Sequence, residues 1–226
     1  MKNYTILLLD ADQTLLDFSA AERFAIEKTC EKFGIPFSDE VGEKYSEINL
    51  SLWKKLEKGE IDRSQVKLRR FEEFAVFMDS SADPREMGLF YESTLATCGI
   101  LLPGAMDACR TLSEKYKLYL VTNGLLHVQK SRLALSGILP FFSGCFISEE
   151  TGFAKPDRRF FDFVLRSIGN PNKREVCVIG DSLSSDIQGG VNASLDTCLF
   201  GKAEKNCSPV PTYRAENFEE LLKLFL

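Results

Sequence analysis

Several things are scarce in this chain of 226 residues. There is one histidine, His127, and one tryptophan, Trp53. No run of about 18 apolar residues occurs, so no membrane-spanning helix is expected. Basic residues are not in excess: 28 Lys and Arg stand against 33 Asp and Glu, a formal net charge of −5. Without a basic surplus to neutralise phosphates, bulk affinity for nucleic acid is not expected. The seven cysteines (Cys30, Cys98, Cys109, Cys145, Cys177, Cys198 and Cys207) form no C-x-x-C pair, so zinc is not indicated. They read as free thiols in a reducing cytoplasm. The opening MKNYTILLLDAD ends in carboxylates rather than in a small-residue cleavage site, which reads against a signal peptide. The hydrophobic fraction is 44%, ample for one large domain or one domain with a modest insert.

Short apolar runs recur along the chain. Tyr4 to Leu9, Leu118 to Val121, Cys145 to Ile147, Val176 to Ile179 and Thr197 to Phe200 read as strands buried on both faces, as in a parallel sheet. Helical patterns lie between them, at Ala105 to Lys115, Val128 to Ser136 and Arg159 to Ile168. This alternation predicts an α/β fold with a parallel sheet flanked by helices. Residues 15–98 break the rhythm. Ala20 to Phe33, Asp39 to Lys58, Ser64 to Met78 and Pro84 to Cys98 have helical spacing, and Pro36, Gly59 and Ser80-Ser81 punctuate them. An all-helical subdomain at 15–98 is expected, inserted into a core made of 1–14 and 99–226. Hinges are expected near Leu15 to Ala20 and Cys98 to Leu102, with Gly99 and Gly104 as hinge or turn residues.

In open parallel sheets the ligand crevice lies beyond the carboxyl ends of the strands. Four groups fall there: Asp10-Ala11-Asp12-Gln13-Thr14, Thr122-Asn123-Gly124, Lys155-Pro156, and Gly180-Asp181-Ser182 with Asp186 beyond it. Each alone has a bland reading as a helix cap, a solvated residue or a turn. Four such turns on one sheet edge point instead to a site. Two carboxylates about 5 Å apart repel by roughly 3 kcal/mol at an effective dielectric of 20. Asp10, Asp12, Asp181 and Asp186 therefore need a cation beyond Lys155, and oxygen-only donors favour Mg²⁺. Asp10 can then attack phosphorus, and Asp12 can protonate the leaving oxygen and later deprotonate water. Thr122 and Lys155 can hold the phosphoryl oxygens, and Asn123 beside Thr122 is a further candidate substrate contact.

Taken together, the strings LLLDADQTLLDF, LVTNG, the lysine of GFAKPD and VIGDSLSSD resemble the four motifs of the haloacid dehalogenase-like (HAD) hydrolase superfamily, in that family's order. The resemblance implies a Rossmann-like core with a helical cap inserted after the first motif. It also implies an aspartyl-phosphate mechanism. Asp10 would be the nucleophile and Asp12 the general acid/base, with Thr122 and Lys155 on the phosphoryl group. Asp10, the Asp12 carbonyl and Asp181 would ligate Mg²⁺, and Asp186 would act through a water or through Lys155. Dehalogenases of the family lack the second aspartate of the first motif, so Asp12 speaks against that activity. A non-enzymatic phospho-accepting module needs neither Asp12 nor an insert.

Further strings, INLSLWKKLEKGEI, RRFEEF, LPGA and ISEETGFAKPDRRFFDFVL, resemble the bacterial pyrimidine 5′-nucleotidase branch. That resemblance implies hydrolysis of pyrimidine nucleoside monophosphates, and a sugar phosphate or phosphoglycolate is the alternative substrate. Phe18, Asn49 and Trp53 are candidate base contacts, Asn49 and Trp53 being i, i+4 neighbours on one helix face; the other reading is packing, inside the cap for Trp53 and between cap and core for Phe18. Arg70 reads as a substrate contact, as part of a solvated helix face or as an intracap ion pair. His127 reads as a helix-start residue. A cytoplasmic enzyme, a monomer or weak homodimer, is expected.

Overall fold

The computed structural model describes residues 3–202 and 208–226, so Cys207 lies outside the described residues. The chain divides into two compact units, 1–17 with 99–226 and 18–98.

The first unit is built on a six-stranded sheet of order β3-β2-β1-β4-β5-β6, every neighbouring pair parallel. The strands are β1 (Ile6–Leu9), β2 (Lys117–Thr122), β3 (Phe142–Ile147), β4 (Val176–Gly180), β5 (Asp196–Phe200) and β6 (Tyr213–Ala215). The apolar β1 is buried throughout because helices cover both sheet faces. Side chains alternate across a strand. Leu7 and Leu9 accordingly pack with Ala108 and Leu112 of α5 (Ala105–Ser113), Leu133 of α6 (Leu126–Ser136), and Phe218 and Leu221 of α10 (Phe218–Phe225). Ile6 and Leu8 face the other way, onto Phe160, Phe161 and Val164 of α8 (Arg158–Ser167). Two short helices complete the unit, α7 (Ser148–Thr151) and α9 (Gln188–Asn192). This is a Rossmann-like fold. Chain order runs outward from β1 through β2 to β3, and outward again from β4 through β5 to β6, so the strand order reverses between β1 and β4. A reversal of that kind opens a crevice at the carboxyl ends of the strands.

β6, α10 and the short helices α7 and α9 lie outside the patterns read from the sequence. β6 has three residues and, among the described residues, pairs only with β5, through Cys198 opposite Tyr213, too short a segment to show a period.

Residues 18–98 are all-helical: α1 (Phe18–Phe33), α2 (Asp39–Glu57), α3 (Arg63–Phe77) and α4 (Pro84–Leu95). Local chemistry sets their starts. Asp62 and Gln65 form a capping box at α3, each side chain bonding the other's backbone N–H at 2.9 Å. Asp83 caps α4 ahead of a proline at the first helical position. Tyr45, Phe71, Phe74 and Tyr91 form the aromatic interior. Arg70 is buried there over the Tyr91 ring at 4.8 Å and is paired with Glu92 at 2.8 Å; the structure shows the ion pair, and at 2% exposure the residue is not on a solvated helix face.

The connections at residues 15–17 and 100–102 belong to the first unit and pair with each other: Leu102 N–H donates to Leu15 at 2.8 Å and Asp17 N–H to Ile100 at 2.9 Å. Gly99 lies against α6, where an added Cβ would come within 2.7 Å of Leu135 Cβ and of Ser136 N. A close approach, rather than torsional freedom, requires the glycine. The six described cysteines form no disulfide. Among the described residues no helix is long and apolar enough to cross a membrane.

Candidate active site

Register explains how the motif residues meet. Leu9 of β1 stands opposite Ile179 of β4 and Leu120 of β2. Asp10 therefore leaves the sheet level with Gly180 and Val121, and its N–H donates to Ile179 at 2.9 Å. Thr122 ends β2, and Asp181 follows β4.

Lys155 ties these ends together. Its buried ammonium donates to Asp10 Oδ1 at 2.5 Å, to Asp186 Oδ1 at 2.6 Å and to the Val121 carbonyl at 2.8 Å. Asn123 holds the Lys155 backbone from both sides. Its Nδ2 donates to the Lys155 carbonyl at 2.8 Å, and its Oδ1 accepts the Lys155 N–H at 2.9 Å. Asp186 sits on a π-helical turn (Leu183–Ile187) and accepts the Ser182 N–H at 3.1 Å. That turn passes so close to β4 that a Cβ on residue 180 would lie 2.3 Å from Asp186 Cγ. Only glycine fits there.

Thr14 joins the first and last groups. Its Oγ1 lies 3.4 Å from both Asp10 Oδ2 and Asp181 Oδ1, and it accepts the Asp181 N–H at 3.1 Å. Oxygens of Asp10, Asp181 and Asp186 all lie within 4.8 Å of one another.

Burial pushes the Asp10 carboxyl well above the ordinary carboxylate range. Lys155 opposes that shift, while Asp186, Asp181 and Asp12 reinforce it. Asp181 is pushed up to about 7, first by burial and then by the Asp186 charge. For Lys155 burial disfavours the ammonium, but Asp10 and Asp186 outweigh it and hold its pKa above the lysine value. Three carboxylates against one ammonium leave an excess of two negative charges. Oxygen donors alone, at this spacing and charge, suit a hard divalent cation.

The structure thus brings Asp10, Thr14, Thr122, Lys155, Asp181 and Asp186 to one end of the sheet. Asp12 turns toward α6, where Arg132 and Gln129 bind it. Neither of these helix residues was among the candidates read from the sequence, and Thr14, though part of the first strand-end group, was given no role there. The available signal was the i, i+3 placement of Gln129 and Arg132 on the face of α6 that also carries Leu133. His127 is exposed in the first turn of α6. Phe18, Asn49 and Trp53 belong to the helical unit. Phe18 begins α1 and is half-buried. Asn49 is buried, with its Nδ2 donating to Glu22 at 2.7 Å and its Oδ1 accepting from Trp53 at 3.1 Å.

Comparison with known proteins identifies the family. A family model described as haloacid dehalogenase-like hydrolase matches residues 4–194. The HAD-hydrolase YfnB of Bacillus subtilis is 39% identical over 98% of this chain and 95% of its own. The pyrimidine 5′-nucleotidase PynA of Streptococcus pneumoniae is 36% identical over 97% of this chain and 94% of its own. The corresponding figures for the pyrimidine 5′-nucleotidase YjjG of Escherichia coli are 30%, 96% and 96%. A magnesium-bound crystal structure of YfnB superposes with a TM-score of 0.94 at 38% identity, covering 99% of each chain. A dehalogenase at 17% identity and a TM-score of 0.76 shares the fold. The chain belongs to the haloacid dehalogenase-like hydrolases.

Proposed function

We propose that this hydrolase is a Mg²⁺-dependent phosphomonoesterase working through an aspartyl-phosphate, and that its substrates are pyrimidine nucleoside 5′-monophosphates. The observation that carries the chemistry is the buried Lys155 ammonium shared between Asp10 and Asp186, with Asp181 beside them. Nucleotide as substrate is supported by two relatives named as pyrimidine 5′-nucleotidases, each matching over nearly its whole length.

Asp10 is the nucleophile. One of its oxygens bonds to phosphorus as the bond from phosphorus to the sugar oxygen breaks, and Asp12, protonated, gives its proton to that departing oxygen. Water then attacks the acyl phosphate and passes a proton back to Asp12. The Asp10–phosphorus bond breaks, and phosphate and a free Asp10 carboxylate result. Lys155 opposes charge on the transferring group. Thr122 Oγ1 already accepts from Gly124 N–H at 3.1 Å and from Gln129 at 2.8 Å. With both acceptor positions filled, its hydroxyl hydrogen is left to donate to a phosphoryl oxygen. Asn123 serves binding indirectly, by anchoring Lys155. Asp10, the Asp12 carbonyl and Asp181 would hold Mg²⁺, with Asp186 acting through Lys155. When bound, the metal neutralises the excess carboxylate charge and orients the phosphate. Phe18 and Trp53 are assigned to the base, with Asn49 fixing the Trp53 indole.

The test is phosphate release from dUMP, UMP, dTMP, AMP, phosphoglycolate and a hexose phosphate, with Mg²⁺ or with EDTA. Mg²⁺-dependent turnover of the pyrimidine nucleotides, abolished in Asp10→Asn, is expected. Equal or faster turnover of the non-nucleotides would remove the nucleotidase assignment, and an active Asp10→Asn would remove the mechanism.

A further inference from the structure

Asp12 is held differently from the other carboxylates. Its side chain is 27% exposed, and both of its oxygens are bound from α6. Arg132 Nη1 donates to Oδ1 at 2.5 Å, and Gln129 Nε2 donates to Oδ2 at 2.8 Å. The same Gln129 nitrogen donates to Thr122 Oγ1 at 2.8 Å, and Gln129 Oε1 accepts from Arg132 Nη1 at 3.2 Å. Gln129 and Arg132 are each 1% exposed. Burying a guanidinium costs several kcal/mol unless it is well paired, so a packing role alone is a poor reason for Arg132 at this position. The loop makes room for the arrangement: a Cβ on residue 124 would lie 2.5 Å from Gln129 Cγ.

We propose that Gln129 and Arg132 clamp Asp12 and act as positioning residues for protonation of the leaving group. This rests on the reading of Asp12 as the general acid. Two donors on two different oxygens oppose rotation of the carboxyl about its last torsion, because rotation breaks both bonds. Each oxygen retains a second lone pair, so the anchored group can still carry a proton. As the bond from Asp10 to phosphorus forms and the ester bond breaks, that proton passes to the departing oxygen without a search over rotamers. Through Gln129 the clamp also reaches Thr122, so acid and phosphoryl donor are set by one amide. A misplacement of about 1 Å at such a site costs on the order of 100-fold in rate.

The experiment compares kcat/KM for two leaving groups in the wild-type protein and in Asp12→Asn, Arg132→Met, Arg132→Lys and Gly124→Ala. A ribose alkoxide (UMP) needs a proton to depart, whereas the nitrophenolate of p-nitrophenyl phosphate does not. Expected is a loss of about 100-fold on UMP against a few-fold on p-nitrophenyl phosphate for Arg132→Met. Asp12→Asn should show the same imbalance. Arg132→Lys should recover part of the UMP rate, and Gly124→Ala, which displaces Gln129, should lose UMP selectively. A variant that merely folds poorly loses both substrates in proportion. Proportional loss in Arg132→Met and Gly124→Ala, or an undiminished UMP rate, overturns the clamp. An Asp12→Asn variant without the imbalance overturns the acid assignment and the clamp with it. If the wild-type enzyme leaves UMP intact, the nucleotidase reading fails, and the best alkyl ester of the substrate panel takes its place in the same comparison.

Discussion

Replacing Lys155 with methionine keeps most of the side-chain volume and removes the ammonium. In the native protein that ammonium lies 2.5 Å from Asp10 Oδ1 and 2.6 Å from Asp186 Oδ1, and it is 2% exposed. At about 4 Å between charge centres and an effective dielectric near 20, each attraction is about 4 kcal/mol. Desolvation consumes much of that sum, but the variant would leave two buried carboxylates facing each other. Breaking a buried pair in this way costs about 3–5 kcal/mol. The loss depends on pH with a definite sign. Burial already holds the Asp10 carboxyl above its unfolded value, and without Lys155 it rises further. An acid whose pKa is raised in the folded state is destabilising only where it must ionise. The deficit against the wild type is therefore smallest where Asp10 stays protonated in both folded proteins, and it grows as pH rises past the raised native value. Lys155 itself stays charged over this range, since its pKa is held above the lysine value. Urea unfolding in EDTA, wild type against Lys155→Met, should show a deficit of about 3–5 kcal/mol at pH 7.5 that shrinks markedly at pH 4.5. A deficit below about 1 kcal/mol at pH 7.5, or the same deficit at both pH values, would refute the reasoning.

The raised Asp181 carboxyl, at about 7, must lose its proton to ligate a cation. The Mg²⁺ concentration giving half-maximal phosphate release should then climb as pH falls from 8 to 6, by up to about tenfold per unit below 7; a flat requirement would count against Asp181 as a ligand. Gly99→Ala should lower stability by about 1–3 kcal/mol, read as a drop in Tm, because its Cβ meets the α6 backbone at 2.7 Å.

Much of the core was legible because the chemistry sits where one-dimensional patterns end. β1 and β4 are apolar runs that stop at Asp10 and Gly180-Asp181, and the parallel register carries those stops to the same level. The four helices of residues 18–98 were legible for a related reason. Caps such as Asp62 with Gln65, and Asp83 before Pro84, act over three residues and need no distant partner. Asn123 directly follows the end of β2 in sequence, and its amide is bonded to the Lys155 backbone 32 residues away. Nothing local announces such a partner.

The sequence by itself determined which residues end the strands, and therefore that carboxylates, a hydroxyl and a lysine would gather at one sheet edge, because strand period and register are backbone properties. Only the tertiary structure decided how those groups are shared out. Whether a carboxylate meets Lys155, as Asp10 and Asp186 do, or Arg132 and Gln129, as Asp12 does, depends on packing α6 and the turn at residues 183–187 against the sheet. Charge pairing reaches only a few ångströms, and those distances exist only once the elements have docked.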